Sequence, residues 1–240
     1  MDNQLVQFHD LGIMQYKEAW DYQERLLQEN LSIKTILREA TDKGLKKNMS
    51  FETQHYLLFV AHPHVFTLGK SGNINNILVN KDNLAEKGIE FFHINRGGDI
   101  TYHGPGQIVG YPIFDLEKFY TDIGKYLRNL EEVIILTLAE YGLRGERSQG
   151  ETGVWLDPQR KGYERKICAI GVRTSRWVTM HGFALNVNTD LNYFNLIVPC
   201  GIQGKQVTSL KKELGREIDV NEVKEKLKRN FEKVFSIQLT

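Results

Sequence analysis

Apolar residues recur at helical spacing in three stretches of the chain. Over Tyr16 to Arg38, Trp20, Leu27, Leu31 and Ile33 return at roughly helical intervals, which predicts a first helix. Over Asp122 to Tyr141, Ile123, Leu127, Leu130, Ile134 and Leu138 form an apolar stripe, and Gly142 stands where a C-terminal cap belongs. Over Val220 to Phe235, Val223, Leu227, Phe231 and Val234 share a face, and Asp219 with Glu222 resembles a capping box. Between the helices the pattern turns strand-like, over Tyr56 to Val60, Gln107 to Phe114, Lys166 to Arg173 and Val178 to Asn188. Pro112 marks the second of these as an edge or bulged strand, because proline cannot donate to a ladder. Thr174 to Trp177 reads as a hairpin turn, and strands joined by short turns predict antiparallel pairing. Few, grouped helices then give an α+β fold with a mixed, largely antiparallel sheet flanked by helices, rather than a doubly wound parallel one. The polar stretch Asp42 to Gln54, with Gly44 inside it, is the expected long surface loop.

Composition narrows the picture. The chain has 240 residues, 41% hydrophobic and 25% charged, with no repeat or linker, so residues 1–240 read as one domain with a sizeable core. Lys plus Arg is 31 and Asp plus Glu is 30, which gives no global pull towards nucleic acid or membrane. The stretch Met1 to Trp20 is polar and unlike a secretory signal, and no run approaches the ~20 apolar residues of a spanning helix. Cytoplasm is therefore the expected compartment. Two cysteines, Cys168 and Cys200, are too few for a disulfide framework, and both read as thiols.

Four segments can carry chemistry. Arg96 to Gln107 interleaves four glycines with Arg96, Tyr102 and His103; glycine lets backbone approach a ligand, and the other side chains supply donors, though a pair of tight turns has the same composition. It is neither a dinucleotide fingerprint nor a phosphate loop, since the spacing fails and no Gly-Lys-Ser/Thr follows. In Arg165 to Val172, alternation puts Lys166, Cys168 and Ile170 on one face. Lys166 is then either the exposed end of a strand or an ammonium at a pocket edge, able to lower a thiol's pKa. In Val198 to Ile202, Pro199 and Gly201 bracket Cys200 at a turn, which favours a reactive thiol; Cys168, among apolar strand residues, fits an inert buried one. His62 and His64 lack the clustered partners that a metal site needs, so no metal is expected.

Together these segments resemble the lipoyl(octanoyl) transferase family. The resemblance rests on residues 62–69, 96–107, 166–171, 181–186 and 199–201, in the family's order, and spans roughly Tyr56 to Leu210. Ala61 departs from it, since the family often has Glu there. The resemblance implies the catalytic fold shared by biotin and lipoate protein ligases. It implies that Cys200 forms an acyl-thioester and that Lys166 lowers that cysteine's pKa. It places substrate binding on Arg96, Gly97, Gly98, Asp99, Ile100, Thr101, Tyr102 and His103, on Ala169, Ile170 and Gly171, and on Gly182, Phe183 and Ala184. The donor would be octanoyl-acyl carrier protein. The acceptors would be lipoyl domains of 2-oxoacid dehydrogenase complexes and the glycine cleavage H protein. No cofactor and no ATP would be needed, since thioester exchange is nearly balanced and amide formation is downhill.

That chemistry sets further expectations. Free cysteine titrates near ~8.5, so a nearby ammonium has a task, and a desolvated lysine could later accept a proton from the attacking amine. Ile167, Ile170, Phe183 and Leu185 are candidates for an apolar slot, and backbone N–H groups with His103 for oxyanion donors. Arg160, Lys161, Arg165, Lys166, Arg173 and Arg176, against Glu164 alone, form a basic run that would steer an acidic carrier protein. Three rivals stay open: an adenylating ligase, a cysteine hydrolase and a non-catalytic binding protein.

Overall fold

The computed structural model describes residues 3–44, 51–79, 84, 86–198 and 206–240. In chain order its elements are β1 (Gln4–Ile13), α1 (Tyr16–Asp42), β2 (Tyr56–Ala61), β3 (Val65–Leu68), β4 (Glu90–His93), β5 (Ile100–His103), β6 (Gln107–Ile113), α2 (Ile123–Ala139), β7 (Val154–Leu156), β8 (Arg165–Ser175), β9 (Val178–Asn186), β10 (Gln206–Val207), α3 (Leu210–Leu214), α4 (Val220–Phe235) and β11 (Ile237–Leu239).

A strand covered on both faces needs apolar residues at consecutive positions; β2 has them along its length and β9 at Phe183, Ala184 and Leu185, its Thr179, His181 and Asn186 being buried with hydrogen-bond partners. Leu57 and Phe59 of β2 join Ile108, Phe183 and Leu185 under α2 and α4, which supply Leu130, Ile134, Leu227 and Phe231. Leu58 and Val60 join Val109 and Ala184 on the opposite face under α1, which supplies Ala19, Leu27 and Leu31. The result is three layers, with the mixed sheet in the middle as expected. Its order is β10-β8-β9-β6-β2-β1-β11, with β7 on the outer side of β8. The β8–β9, β6–β9, β2–β6 and β7–β8 pairs are antiparallel; β1–β2, β1–β11 and β8–β10 are parallel. A second sheet, β4-β3-β5, packs Phe66, Leu68, Ile100 and Tyr102 against Phe194 and Ile197.

The three helical stripes and the four predicted strands follow the hydrophobic pattern, to within a few residues at their ends, whereas β1, β3, β4, β5, β7, β10 and β11 add to the expected set. Arg176 and Trp177, both at positive φ, make the two-residue turn between β8 and β9, whose twist suits a hairpin. Pro112 is a correction: β6 is interior, not an edge. The β6–β9 ladder ends at Gly110, and beyond it the Thr179 hydroxyl donates to the Pro112 carbonyl at 2.8 Å. Carbonyl and N–H of one strand residue point the same way, so the missing N–H faces a place where no ladder bond is due. The first helix is also longer than its pattern, reaching Asp42. Residues 45–50 of the predicted polar loop lie outside the described residues. At α4, Asp219 caps the Asn221 N–H while Glu222 pairs with Lys226, so the cap is not reciprocal.

One buried ion pair ties α1 to the end of β6. Lys34 Nζ lies 2.6 Å from Asp115 Oδ1, and Asp115 also accepts from Thr53 Oγ1 at 3.0 Å. Lys34 retains Glu117 at 2.8 Å as a second partner. Asp115→Ala is therefore expected to cost about 3 kcal/mol, the lower end for breaking a buried pair, read as a shift in the urea midpoint.

Candidate active site

The glycine-rich segment crosses from the small sheet to the large one, and Arg96 holds it there. The buried guanidinium donates through Nη2 to Thr67 O at 2.9 Å, Thr67 Oγ1 at 3.1 Å and Asp99 O at 2.9 Å, and through Nη1 to Gly97 O at 3.0 Å. Gly97 N–H then donates to Val172 O of β8 at 3.0 Å. The contact is backbone on backbone, because a Cβ at Gly171 would lie 2.9 Å from Gly97 O. Asp99 ties the segment to its neighbour, accepting from Asn73 N at 3.2 Å, Ile100 N at 2.7 Å and Asn76 Nδ2 at 2.6 Å.

This crossing walls a cavity of about 610 Å³, a size ordinary for a small-molecule site. Of the residues singled out from sequence, Arg96 to Thr101, His103, Lys166, Ala169 to Gly171 and Gly182 to Ala184 all line it. Tyr102 does not: alternation along β5 turns it to the small-sheet core, where its hydroxyl meets His64 Nδ1 at 2.7 Å and its ring stacks on Tyr193. Cys200, with Pro199 and Gly201, lies outside the described residues. Lys166 faces Trp155 of β7 on one side and Val207 of β10 on the other, and its ammonium lies 4.6 Å from the Trp155 ring centroid. Cys168 shares its strand face but is fully buried in the core, and burial pushes its thiol up, which leaves it unreactive.

Several expectations are corrected by packing. Ile170 and Phe183 line the cavity, whereas Ile167 and Leu185 are wholly buried in the core beneath α2. The basic run does not make one face. Arg165 is paired with Asp157 and Glu213, Arg173 with Glu24, and Arg176 with carbonyl and hydroxyl groups of α1, which leaves Arg160 and Lys161 exposed. His62 and His64 serve different networks: His62 bridges Met14 O and Tyr111 OH, each at 2.8 Å. Among the described residues no group of His, Cys, Asp and Glu is arranged to hold a metal. No described helix is long and apolar enough to cross a membrane.

The structure adds residues that the motifs did not rank. Tyr16 of α1, Tyr111 of β6 and His181 of β9 join His103 at the cavity, with Tyr16 stacked on His103 at 6.0 Å. Ile123 and Leu127 of α2 and residues 150–152 close another side. His181 opens the 181–186 segment of the family resemblance; its φ of +58° and its N–H bond to Gln23 of α1 mark a strained position held by tertiary contacts. Tyr16 left no signal beyond its place at the start of a helical pattern.

Burial keeps the imidazoles here neutral. It pushes His62 down to about 4 and His181 to about 3, and His103 well below its ordinary range, with His62 and Arg96 adding to the last. His55, buried near Asp115, falls to about 4. Tyr16 and Tyr111 are pushed up by burial and stay protonated.

The chain matches the family described as the lipoyl protein ligase A/B catalytic domain over residues 15–232. An octanoyltransferase of Christiangramia forsetii is 58% identical over 238 residues, covering 99% of this chain and 98% of the relative. One of Flavobacterium psychrophilum is 59% identical over 234 residues, covering 97% of each. A bi-partite lipoate protein ligase of Thermoplasma acidophilum matches in structure with a TM-score of 0.67 at 17% identity, covering 100% of this chain and 86% of that one. That likeness establishes the fold.

The depressed histidines set a pH dependence. Below pH ~6.5 the unfolded chain binds protons that the folded one refuses, so their stabilisation is complete above that value and drains as pH falls towards 4. Unfolding free energies from urea titrations at pH 7, 6 and 5 are expected to fall by roughly 1 kcal/mol per buried histidine per unit below pH 6. A flat profile would mean these rings take up protons in the folded state.

Proposed function

The chain belongs to the lipoyl protein ligase A/B catalytic domain family, and from that premise we propose that it is an octanoyltransferase working through a cysteine thioester. The observation that carries the reading is convergence. Lys166 and the 96–103 segment, far apart in sequence, line one cavity, and the relatives at 58% and 59% identity are octanoyltransferases. Val198 N–H donates to Asn76 O, and Val207 is paired with Lys166. In sequence Cys200 follows Val198 by two residues and precedes Val207 by seven, which supports a partnership with Lys166.

In the first step the Cys200 thiolate attacks the carbonyl of an octanoyl thioester carried by acyl carrier protein. A C–S bond to Cys200 forms, the C–S bond to the carrier breaks, and the leaving thiolate takes the proton that Cys200 gave up. In the second step the ε-amine of a lipoyl-domain lysine attacks; a C–N bond forms, the enzyme C–S bond breaks and the amine gives up a proton. The Lys166 ammonium stabilises the Cys200 thiolate and passes its proton to the departing carrier thiolate; as a neutral amine it then takes the acceptor amine's proton in the second step, and the ammonium so formed faces the released Cys200 thiolate. Ile123, Leu127, Ile170 and Phe183 offer apolar surface to the chain at ~0.8 kcal/mol per methylene. Backbone N–H groups of the glycine-rich crossing are candidate oxyanion donors.

Intact mass after incubation with octanoyl-acyl carrier protein is expected to rise by one octanoyl group in the native chain and in Cys168→Ser, but not in Cys200→Ser. Discharge of the adduct by a lipoyl domain completes the scheme, and absence of any adduct would sink it. Lys166→Arg keeps a positive charge but cannot release its proton. It is expected to form the adduct and discharge it at least about tenfold more slowly if Lys166 is the second-step base; full-speed discharge would remove that role.

A further inference from the structure

Lys166 is gripped from outside its own strand. Its ammonium lies over Trp155, the residue directly opposite it in the β7–β8 ladder. Gly153 closes on the stem: a Cβ there would be 3.5 Å from Lys166 Cε and 2.6 Å from Cys168 O, and φ is +120°. The positive φ and the closeness to Cys168 O require glycine there, whereas a Cβ would stand only in ordinary contact with the Lys166 stem.

The position of Gly153 is fixed in turn from α2. Glu131, its side chain wholly buried, accepts the Gly153 N–H at 3.1 Å through Oε1. Through Oε2 it pairs with Arg128 at 2.7 Å and Arg147 at 3.1 Å. Arg147 reaches further to Glu132 and to the Arg128 carbonyl. One carboxylate thus pins both ends of the 147–153 loop, whose Gly150, Glu151 and Thr152 line the cavity with Lys166. A carboxylate buried this deeply is costly unless every oxygen is satisfied, and here each one is bound.

We propose that Glu131 is a positioning residue for acyl transfer: acting through the 147–153 loop, it holds Gly153 and Trp155 against Lys166 and so fixes where the ammonium sits. The inference rests on Lys166 activating the cysteine. The stabilisation that an ammonium gives a thiolate falls with distance, and an unclamped lysine spreads over many rotamers. Among the described residues, Cys168 on the same strand is within electrostatic reach of both Lys166 and Glu131, and Glu151 of the loop lines the same cavity as Lys166. Glu131→Gln keeps an acceptor for Gly153 but loses the charge that holds Arg128 and Arg147. Trp155→Phe keeps a π face under the ammonium, and Trp155→Leu removes it.

The test uses the full chain labelled with 13C at lysine Cε, with octanoyl transfer followed across pH. In the native protein the Trp155 ring current displaces the Lys166 Cε–H signals upfield, assigned by their absence in Lys166→Arg. In Glu131→Gln and Trp155→Leu these signals are expected to return to the ordinary lysine position. There kcat should fall about tenfold with KM within about twofold, and the acidic limb of the kcat profile should move up by about half to one unit. Trp155→Phe should stay near native in all three readouts. If Glu131→Gln fails to fold, Arg147→Gln, which removes the pair that anchors the far end of the loop to Glu131, carries the test with the same expected readouts. An acidic limb that moves in Lys166→Met but stays put in the clamp variants would overturn the inference alone. A limb that Lys166→Met leaves unmoved would overturn the reading of Lys166, and the inference with it.

Discussion

Two backbones meet where the 96–99 segment crosses β8, joined by the Gly97–Val172 bond, and the buried guanidinium of Arg96 fixes that segment to β3. Its donors are committed to carbonyls of its own segment and of Thr67 on β3, so its charge organises the crossing. The Gly97–Val172 bond then fixes the small sheet to the large one. The cavity wall, the placement of His103 over Tyr16 and the approach to Gly171 all follow from that crossing. A side chain at Gly171 would force the two sheets apart, and the cavity would lose its wall.

The interior that results sets neutral rings around the Arg96 guanidinium on one side and other charged groups on the opposite side. Towards α1, His62, His103 and His181 are held neutral by burial, and Tyr16 and Tyr111 keep their protons. Towards α2, Lys166 and Glu151 face the cavity beside apolar Ile123, Leu127 and Ile170. An acyl chain needs apolar surface and a thioester carbonyl needs donors. A thiolate needs a cation that does not wander. For the proposed transfer, the cavity offers apolar surface from α2 and β8 and a cation from Lys166 of β8.

Much of this was legible in the chain itself. The stripes of Leu130, Ile134 and Leu138 and of Val223, Leu227 and Phe231 specified two helices, because a helix must bury one face and the 3.6-residue period records which. The unbroken apolar run of β2 and the turn at Arg176 and Trp177 specified strands. The glycine-rich and Lys166 segments marked the site because closely approaching backbone demands glycine and because a charge heading an apolar strand is anomalous. These are local requirements, and a local requirement leaves its mark in residue type and spacing.

What only the tertiary structure decided is which neighbours each residue meets. Pro112 entered an interior strand because the β9 ladder stops short of it, a fact about β9 that nothing near Pro112 encodes. Tyr102 left the site through strand alternation against a sheet whose existence the pattern had not revealed. Arg165, Arg173 and Arg176 found partners on α3, α1 and the β7–β8 connection, so a basic run in sequence is not a basic surface in space. Tyr16, His181 and Glu131 acquired their places from elements far along the chain. Burial and charge pairing are set by three-dimensional neighbours, and a one-dimensional pattern fixes the elements long before it fixes those.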